Sequence, residues 1–496
     1  MQFKISNLTL KIINMKHLAL TFLFIGIVIG CFAKDKEKNS TREPGNTSET
    51  NKTNNEVAFW LTTSDQKILF KKQNANLVFT PAINQNLTIE IDTTKTFQTI
   101  DGFGYALTDG SAMLINALST PVKDALLKEL FLSDSTNIGV SYLRISIGAS
   151  DLNPFPFTYN DLPTGQTDIN LDHFSLSPDK ADLIPILQKI IALSPKIKIL
   201  GSPWSPPTWM KTNDNFIGGS LKPEYYAAYA NYFVKYISAM KSEGIRLDAV
   251  TIQNEPHHPK NNPSMLMLAP DQANFIKNNL GPAFQKANIN TKIQIWDHNC
   301  DVPEYPLTIL ADAEAAKYVD GSAFHMYAGD ISALSKVHDA HPDKNVYFTE
   351  QWIGSPSNFG ADLDWHVKTL IIGATRNWSK NVLERNLAAD PNNNPHTDKG
   401  GCDRCLGAIT VTPQGFSKNA GYYIIAHASK FVRPGSVRID SNIPGKLDNV
   451  AFQTPEGNKV LIVVNSDVTT QTFNIKFKGK TVTSTLDAGA VGTYVW

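Results

Sequence analysis

The chain has 496 residues, 42% of them hydrophobic, enough to bury the core of one large domain with an accessory unit. Lys+Arg and Asp+Glu number 46 each, so the formal charge is zero and no nucleic-acid partner is implied. The 8 Trp, 15 Tyr and 25 Phe suit a protein that stacks on sugar rings, although most must serve the core.

Residues 18–30 (LALTFLFIGIVIG) follow Lys16-His17 and read as a signal-peptide core, too short for a comfortable membrane span. Met15 is an alternative start to Met1. Ile29-Gly30-Cys31 resembles a bacterial lipobox, so residues 1–31 are expected to be a signal with Cys31 as the lipidation site. That implies an exported lipoprotein held on the membrane by its N-terminus, at the periplasmic or cell-surface face. An ordinary cleaved signal or an uncleaved anchor is the alternative. Residues 32–56 are polar and cannot form a core, and read as a tether.

Residues 57–98 contain expected strands such as Ala75–Thr80 and Leu87–Asp92. An α/β alternation then runs over 99–433. Its predicted strands are Thr99–Phe103, Ser141–Ile147, Ile197–Ser202, Ala249–Gln253, Lys292–Trp296, Gly321–His325, Asn345–Thr349 and Asn381–Arg385. Helical spacing fills most of the gaps, as in Ala181–Leu193 and Glu224–Lys241; the aromatic stripe of the second reads as core. This alternation predicts a (β/α)8 barrel. A doubly wound sheet is the alternative, but no G-x-G-x-x-G opens the first unit. Over 434–496 the period changes to two, with strands Val460–Asn465, Thr472–Phe477 and Gly492–Trp496 expected to join the N-terminal strands in a β-sandwich.

Two of the barrel strands end alike. Leu247-Asp248-Ala249-Val250 leads through Thr251-Ile252-Gln253 to Asn254-Glu255, and Pro256 stops the strand. Asn345-Val346-Tyr347-Phe348-Thr349 leads to Glu350. A Glu alone at a strand tip is either a solvated cap or a reactive group. Two of them, after the fourth and seventh strands of a barrel, share the rim where barrel active sites form. Glycosidic cleavage uses such a pair, one carboxyl donating a proton to the leaving oxygen and the other attacking or activating water. In retaining enzymes the pair stands about 5–5.5 Å apart.

From about residue 97 to the C-terminus the chain resembles the glucosylceramidase family, glycoside hydrolase family 30. The resemblance rests on several separate motifs. Phe97–Asp109 is similar to the family's first-strand motif, and Ser202–Lys211 to its third-strand loop. Asn254-Glu255-Pro256 matches the acid/base motif, and Phe348-Thr349-Glu350 the nucleophile motif. His325-Met326-Tyr327 and Ala313–Val319 also match. The resemblance implies Glu255 as general acid/base and Glu350 as nucleophile. It implies Asn254 on the sugar 2-OH, Asp109 and Trp204 on the outer hydroxyls, and Tyr327 as a hydrogen-bond donor to the nucleophile. His325 is a sugar ligand or a structural partner at its strand tip, and Trp209 a ligand or a packing residue. Arg144 supplies positive charge near Glu350 or pairs with a buried carboxylate.

Departures from the family bear on specificity. Trp352 puts an indole after the nucleophile where mammalian lysosomal members carry a small residue, and Arg385 replaces an aromatic at the edge of the sugar site. Gly400-Gly401-Cys402-Asp403-Arg404-Cys405 resembles a loop of bacterial and fungal members, some of which cut β-1,6-glucan. Cys402 and Cys405 are the expected disulfide, since zinc would need two further ligands with only His396 near. No cofactor or metal is expected, and the adjacent pair His257-His258 reads as a loop lining the leaving-group side. The motif set implies an exported retaining β-glucosidase of the glucosylceramidase type, acting on a β-glucoside, glycolipid or β-glucan. An endo-β-1,6-glucanase is the alternative, and a non-catalytic glycan-binding lipoprotein the third reading.

Overall fold

Eight parallel strands close into a barrel in chain order. They are β1 (Gly102–Ala106), β2 (Tyr142–Ser146), β3 (Lys198–Ser202), β4 (Ala249–Thr251), β5 (Lys292–Asn299), β6 (Val319–His325), β7 (Asn345–Glu350) and β8 (Ser379–Glu384). The computed structural model describes residues 56–496. The expected signal, the lipid site Cys31 and residues 32–55 lie outside the described residues. Glu56, expected to end the tether, instead opens the strand Glu56–Thr62. Among the described residues no helix is long and apolar enough to cross a membrane.

The barrel strands are buried on both faces, which explains why they read as apolar runs rather than alternations. Their outer faces pack on helices such as Leu183–Leu193, which buries Leu183, Ile184, Ile186, Leu187 and Ile190. The tyrosine stripe of Tyr226–Ser242 is core: Tyr229, Tyr232 and Tyr236 are fully buried. Tyr159, from the loop after β2, stacks on Tyr236 with ring centroids 5.3 Å apart and so ties that loop to the helix. Inside the barrel Tyr142, Leu200, Ala249 and Leu383 form a separate small apolar cluster. Two residues further along three of the same strands stand Arg144, Ser202 and Thr251. The period of two puts them on the same inner face, one layer nearer the rim. The apolar plug therefore gives way to a buried polar layer, and the site is built on that layer.

Ten strands from both ends of the described chain form the second sheet. Its path includes Glu56–Thr62 beside Val491–Val495, and Leu87–Thr99 between Val437–Ser441 and Gln471–Phe477. Lys459–Asn465 shows why its sequence is nearly all apolar. Leu461 and Val463 face the interior of the sandwich, while Val460, Ile462 and Val464 join the barrel core. Each such side chain contributes on the order of 1.5–3 kcal/mol by leaving water. The sequence expectation of a barrel with a β-sandwich made from both termini describes this architecture. The strands at Val437–Ser441, Leu447–Gln453 and Lys480–Leu486 have no counterpart among the predicted ones.

Candidate active site

Glu350 ends β7 as expected, but Glu255 does not sit on a strand. β4 stops at Thr251, and Glu255 lies four residues beyond it in the left-handed region, at φ 46°. Its backbone N–H donates to the carbonyl of Asp297 (3.0 Å), which fixes the turn. Trp296 and Asp297 are also left-handed, at φ 72° and 62°. Each such residue stores on the order of 1–3 kcal/mol of strain, which the surrounding packing must hold. The β5–β6 register passes from Trp296↔Ala323 to His298↔Phe324, so Asp297 is the extra residue of a bulge. The β6–β7 register passes from Phe324↔Phe348 to His325↔Glu350, so Thr349 is another. The two bulges let consecutive polar residues turn toward the barrel axis, which a regular strand forbids.

Asp297 is the hub of the layer. Its Oδ2 accepts from Arg144 Nη2 (2.8 Å), Ser202 Oγ (2.7 Å) and Thr251 Oγ1 (2.8 Å). Its Oδ1 accepts from Thr349 Oγ1 (2.7 Å) and faces His325 Nε2 (3.1 Å). Burial opposes its charge, but Arg144 and these donors hold it well below the usual carboxylate range. Arg144 is fully buried and also donates through Nη1 to Glu350 Oε2 at 2.5 Å. A buried guanidinium with two carboxylates is satisfied only as a network, and removing one member strands the others.

Glu350 receives more. Tyr327 Oη donates to its Oε1 (2.9 Å), and Arg385 Nε lies 3.5 Å from the same oxygen. Arg385 in turn pairs with Asp151. Across the pocket His325 Nδ1 is 3.2 Å from Glu255 Oε1 and 3.9 Å from Glu350 Oε1. Asn261 Nδ2 donates to Glu255 Oε2 (3.1 Å). Ligand atoms of Glu255, His325 and Glu350 all lie within 4.8 Å of one another, so the carboxylates approach to the spacing of a retaining pair. Three such groups also suit a cation, but each nitrogen of His325 already faces a carboxylate and has no lone pair to offer while it donates.

These groups open on a cavity of about 430 Å³, whose lining includes Glu255, Glu350, Tyr327, Trp352, Arg385 and Asp151. Trp352 is half-buried there. The Cys402–Cys405 disulfide, with Gly400 and Gly401, forms one wall. Thr397, in the same loop, donates through its backbone N–H to the carbonyl of Asp151 and through Oγ1 to the carbonyl of Asn262. The loop after β8 thus clasps the loops after β2 and β4. His258 lines the cavity, whereas His257 packs against Trp296 and Tyr305. Asn254 is buried and, like Asp109 and Trp204, is not among the residues lining the cavity; its amide oxygen is taken by Arg144 (2.7 Å), which leaves the NH2 end as its donor.

Asp109 and Trp204 are not on the cavity wall. Trp204 is only 1% exposed, its ring lies 4.8 Å from the Arg144 guanidinium and 5.2 Å from that of Arg385, and its Nε1 has no partner. Asp109 accepts from Asn153 through Oδ2 (2.8 Å), its Oδ1 is unpartnered, and burial raises its carboxyl to about 7. Arg385 and Asp151 line the wall instead. Trp209 donates to Asn160 and packs on Tyr225, a structural place. The sequence reading missed Asp297, Asp151 and Asn261. Asp297 lies within an apolar strand and Asn261 in a polar loop, where neither periodicity nor motif marks them; Asp151 had only its position just past β2 as a signal.

The model described as Glycosyl hydrolase family 30 TIM-barrel domain matches residues 100–432, and that described as Glycosyl hydrolase family 30 beta sandwich domain matches residues 435–494. The chain is 36% identical over 406 residues to the endo-1,6-beta-D-glucanase neg1 of Aspergillus fumigatus, covering 77% of this chain and 81% of that protein. It is 30% identical over 444 residues to the lysosomal acid glucosylceramidase of Mus musculus, covering 83% of each. The solved endo-beta1,6-glucanase BT3312 superposes with a TM-score of 0.83 at 34% identity, covering 89% of this chain and 99% of that one.

Proposed function

The chain belongs to glycosyl hydrolase family 30, and from that premise we propose that it is a retaining endo-β-1,6-glucanase. The observation that carries the mechanism is the approach of Glu255 and Glu350 to within 4.8 Å. Glu350, beside two guanidiniums, is the nucleophile that forms a glycosyl-enzyme. Glu255 protonates the leaving oxygen and then takes a proton from the attacking water. The NH2 of Asn254 donates to the sugar 2-OH, a contact that strengthens as positive charge develops at the anomeric carbon.

The substrate assignment draws on similarity to endo-1,6-β-glucanases in both sequence and structure. It therefore prefers the polysaccharide over the glucosylceramidase-type reading that the motifs alone favoured. Arg385 and Asp151 on the wall are consistent with that preference, because a charged pair suits a hydroxyl-rich chain better than a lipid-linked sugar. The mouse lysosomal relative keeps the glucosylceramidase-type β-glucosidase as the second reading. Product analysis separates them. A long β-1,6-glucan is expected to yield oligosaccharides early in the digest; release of glucose alone, with faster turnover of a glucosylceramide, would reverse the order.

A further inference from the structure

Glu255 must deliver a proton, yet its surroundings favour the carboxylate. Burial works against the charge, but the hydrogen bond and positive charge of His325 outweigh it and hold Glu255 at about 2. His325 is pulled the opposite way. Burial disfavours its charge, while Glu350, Asp297 and Glu255 together raise it to about 9.

The contacts lead to the same point without any titration. Asp297 is pinned as an anion by Arg144, so His325 must give it the Nε2 proton (3.1 Å). A neutral imidazole then has nothing on Nδ1. The 3.2 Å contact between Nδ1 and Glu255 Oε1 needs one more proton, on the ring or on the carboxyl. The pair therefore shares one exchangeable proton, and the ring is the better-paired place for it. Three further neighbours of the ring do not compete. The His298 ring, 6.2 Å away, is kept neutral mainly by burial at about 4. Tyr327, its ring 6.1 Å away, has its hydroxyl proton committed to Glu350, and Arg144 is committed to Asp297 and Glu350.

We propose that His325, fixed by Asp297, stores the proton that Glu255 delivers to the leaving oxygen and later recovers from water. The proposal rests on the roles given to Glu255 and Glu350 above. In the first step Glu350 forms a bond to the anomeric carbon as the bond to the leaving oxygen breaks. That oxygen takes the proton of Glu255, which takes the Nδ1 proton of His325. Glu350 is now an ester, Glu255 an anion and His325 neutral. In the second step water attacks the anomeric carbon, its proton returns through Glu255 to His325, and Glu350 leaves as a carboxylate. Forming the ester also removes the charge of Glu350, 3.9 Å from Nδ1, which helps keep the ring protonated. Bond formation at one Glu thereby frees the proton needed at the other. His325 and Asp297 are positioning residues, since neither need touch the sugar.

The test uses the intact enzyme with 15N-labelled histidine, followed by NMR across pH, with H325Q identifying the signal. The free enzyme is expected to show His325 doubly protonated at pH 7. After trapping with an activated 2-deoxy-2-fluoro-β-glucoside, its midpoint is expected to fall by at least about one pH unit. A ring protonated only on Nε2 in the free enzyme, or a midpoint unmoved by trapping, overturns the proposal. Failure of the reagent to label Glu350 overturns the underlying assignment instead. In D297N the alkaline limb of kcat/KM is expected to move to lower pH, because an anion favouring the imidazolium is gone. A purely structural loss would lower activity equally at every pH and leave the limb in place, which also counts against the proposal.

Discussion

Glu255 and Glu350 share one pocket and one side-chain chemistry, but their neighbours differ in kind. Glu350 is beside Arg144, Arg385 and Tyr327, two groups that never lose their charge and one hydroxyl donor. Glu255 is beside His325 and Asn261, with His258 and His298 also lining the pocket, so the ionisable groups around it are imidazoles rather than guanidiniums. A nucleophile must stay ionised while an acid/base must exchange a proton. On the roles proposed above, the division of labour follows whether the partners can titrate. Depth does not separate the two, since Glu255 is 8% exposed and Glu350 4%.

Three substitutions probe that contrast. The largest effect is expected at Glu350: E350Q is predicted to lose at least about 10⁴-fold in kcat on any β-glucoside, because the proposed bond to the anomeric carbon forms on this carboxylate and an amide cannot replace it. Stoichiometric labelling of the wild type at Glu350, with none in the variant, completes that measurement. A variant retaining most of its rate would dissolve the comparison. Next comes E255A, predicted to lose roughly 10²–10⁴-fold on β-1,6-glucan and far less when the first step is followed with a dinitrophenyl β-glucoside, whose leaving group needs no proton. Equal losses on the two substrates would mean that the imidazole-flanked Glu is not the proton donor. The smallest effect is expected for R385K, roughly 10–100-fold in kcat/KM, since lysine keeps the charge but cannot span Asp151 and Glu350 with a fixed fork. A loss confined to aryl glucosides, with glucan cleavage intact, would remove Arg385 from glucan recognition.

How much of this could be read from the chain follows from where each signal resides. The β7 run ending in Glu350 announces itself, because a buried strand with a carboxylate at its tip is rare without a reason. Glu255 was legible as a residue but not as a conformation: the sequence put it at a strand end, and the fold put it in a left-handed turn past that end. Arg385 stood out only against a family pattern, and its partner Asp151 had no such contrast. Asp297 was illegible, since a bulge is a matter of register between neighbouring strands and leaves no period in either one.

The sequence by itself therefore determined the barrel and the sandwich, and it singled out Glu255 and Glu350 as the two carboxylates to propose for catalysis. Those follow from local periodicity, strand ends and spaced motifs, all of which are properties of one segment at a time. Only the tertiary structure decided which carboxylate faces fixed cations and which faces imidazoles. It also put Arg385 and Asp151, rather than Asp109 and Trp204, on the wall of the cavity. Such facts depend on side chains from strands far apart in the chain converging on one polar layer, where distances of a few ångströms decide which groups are partners.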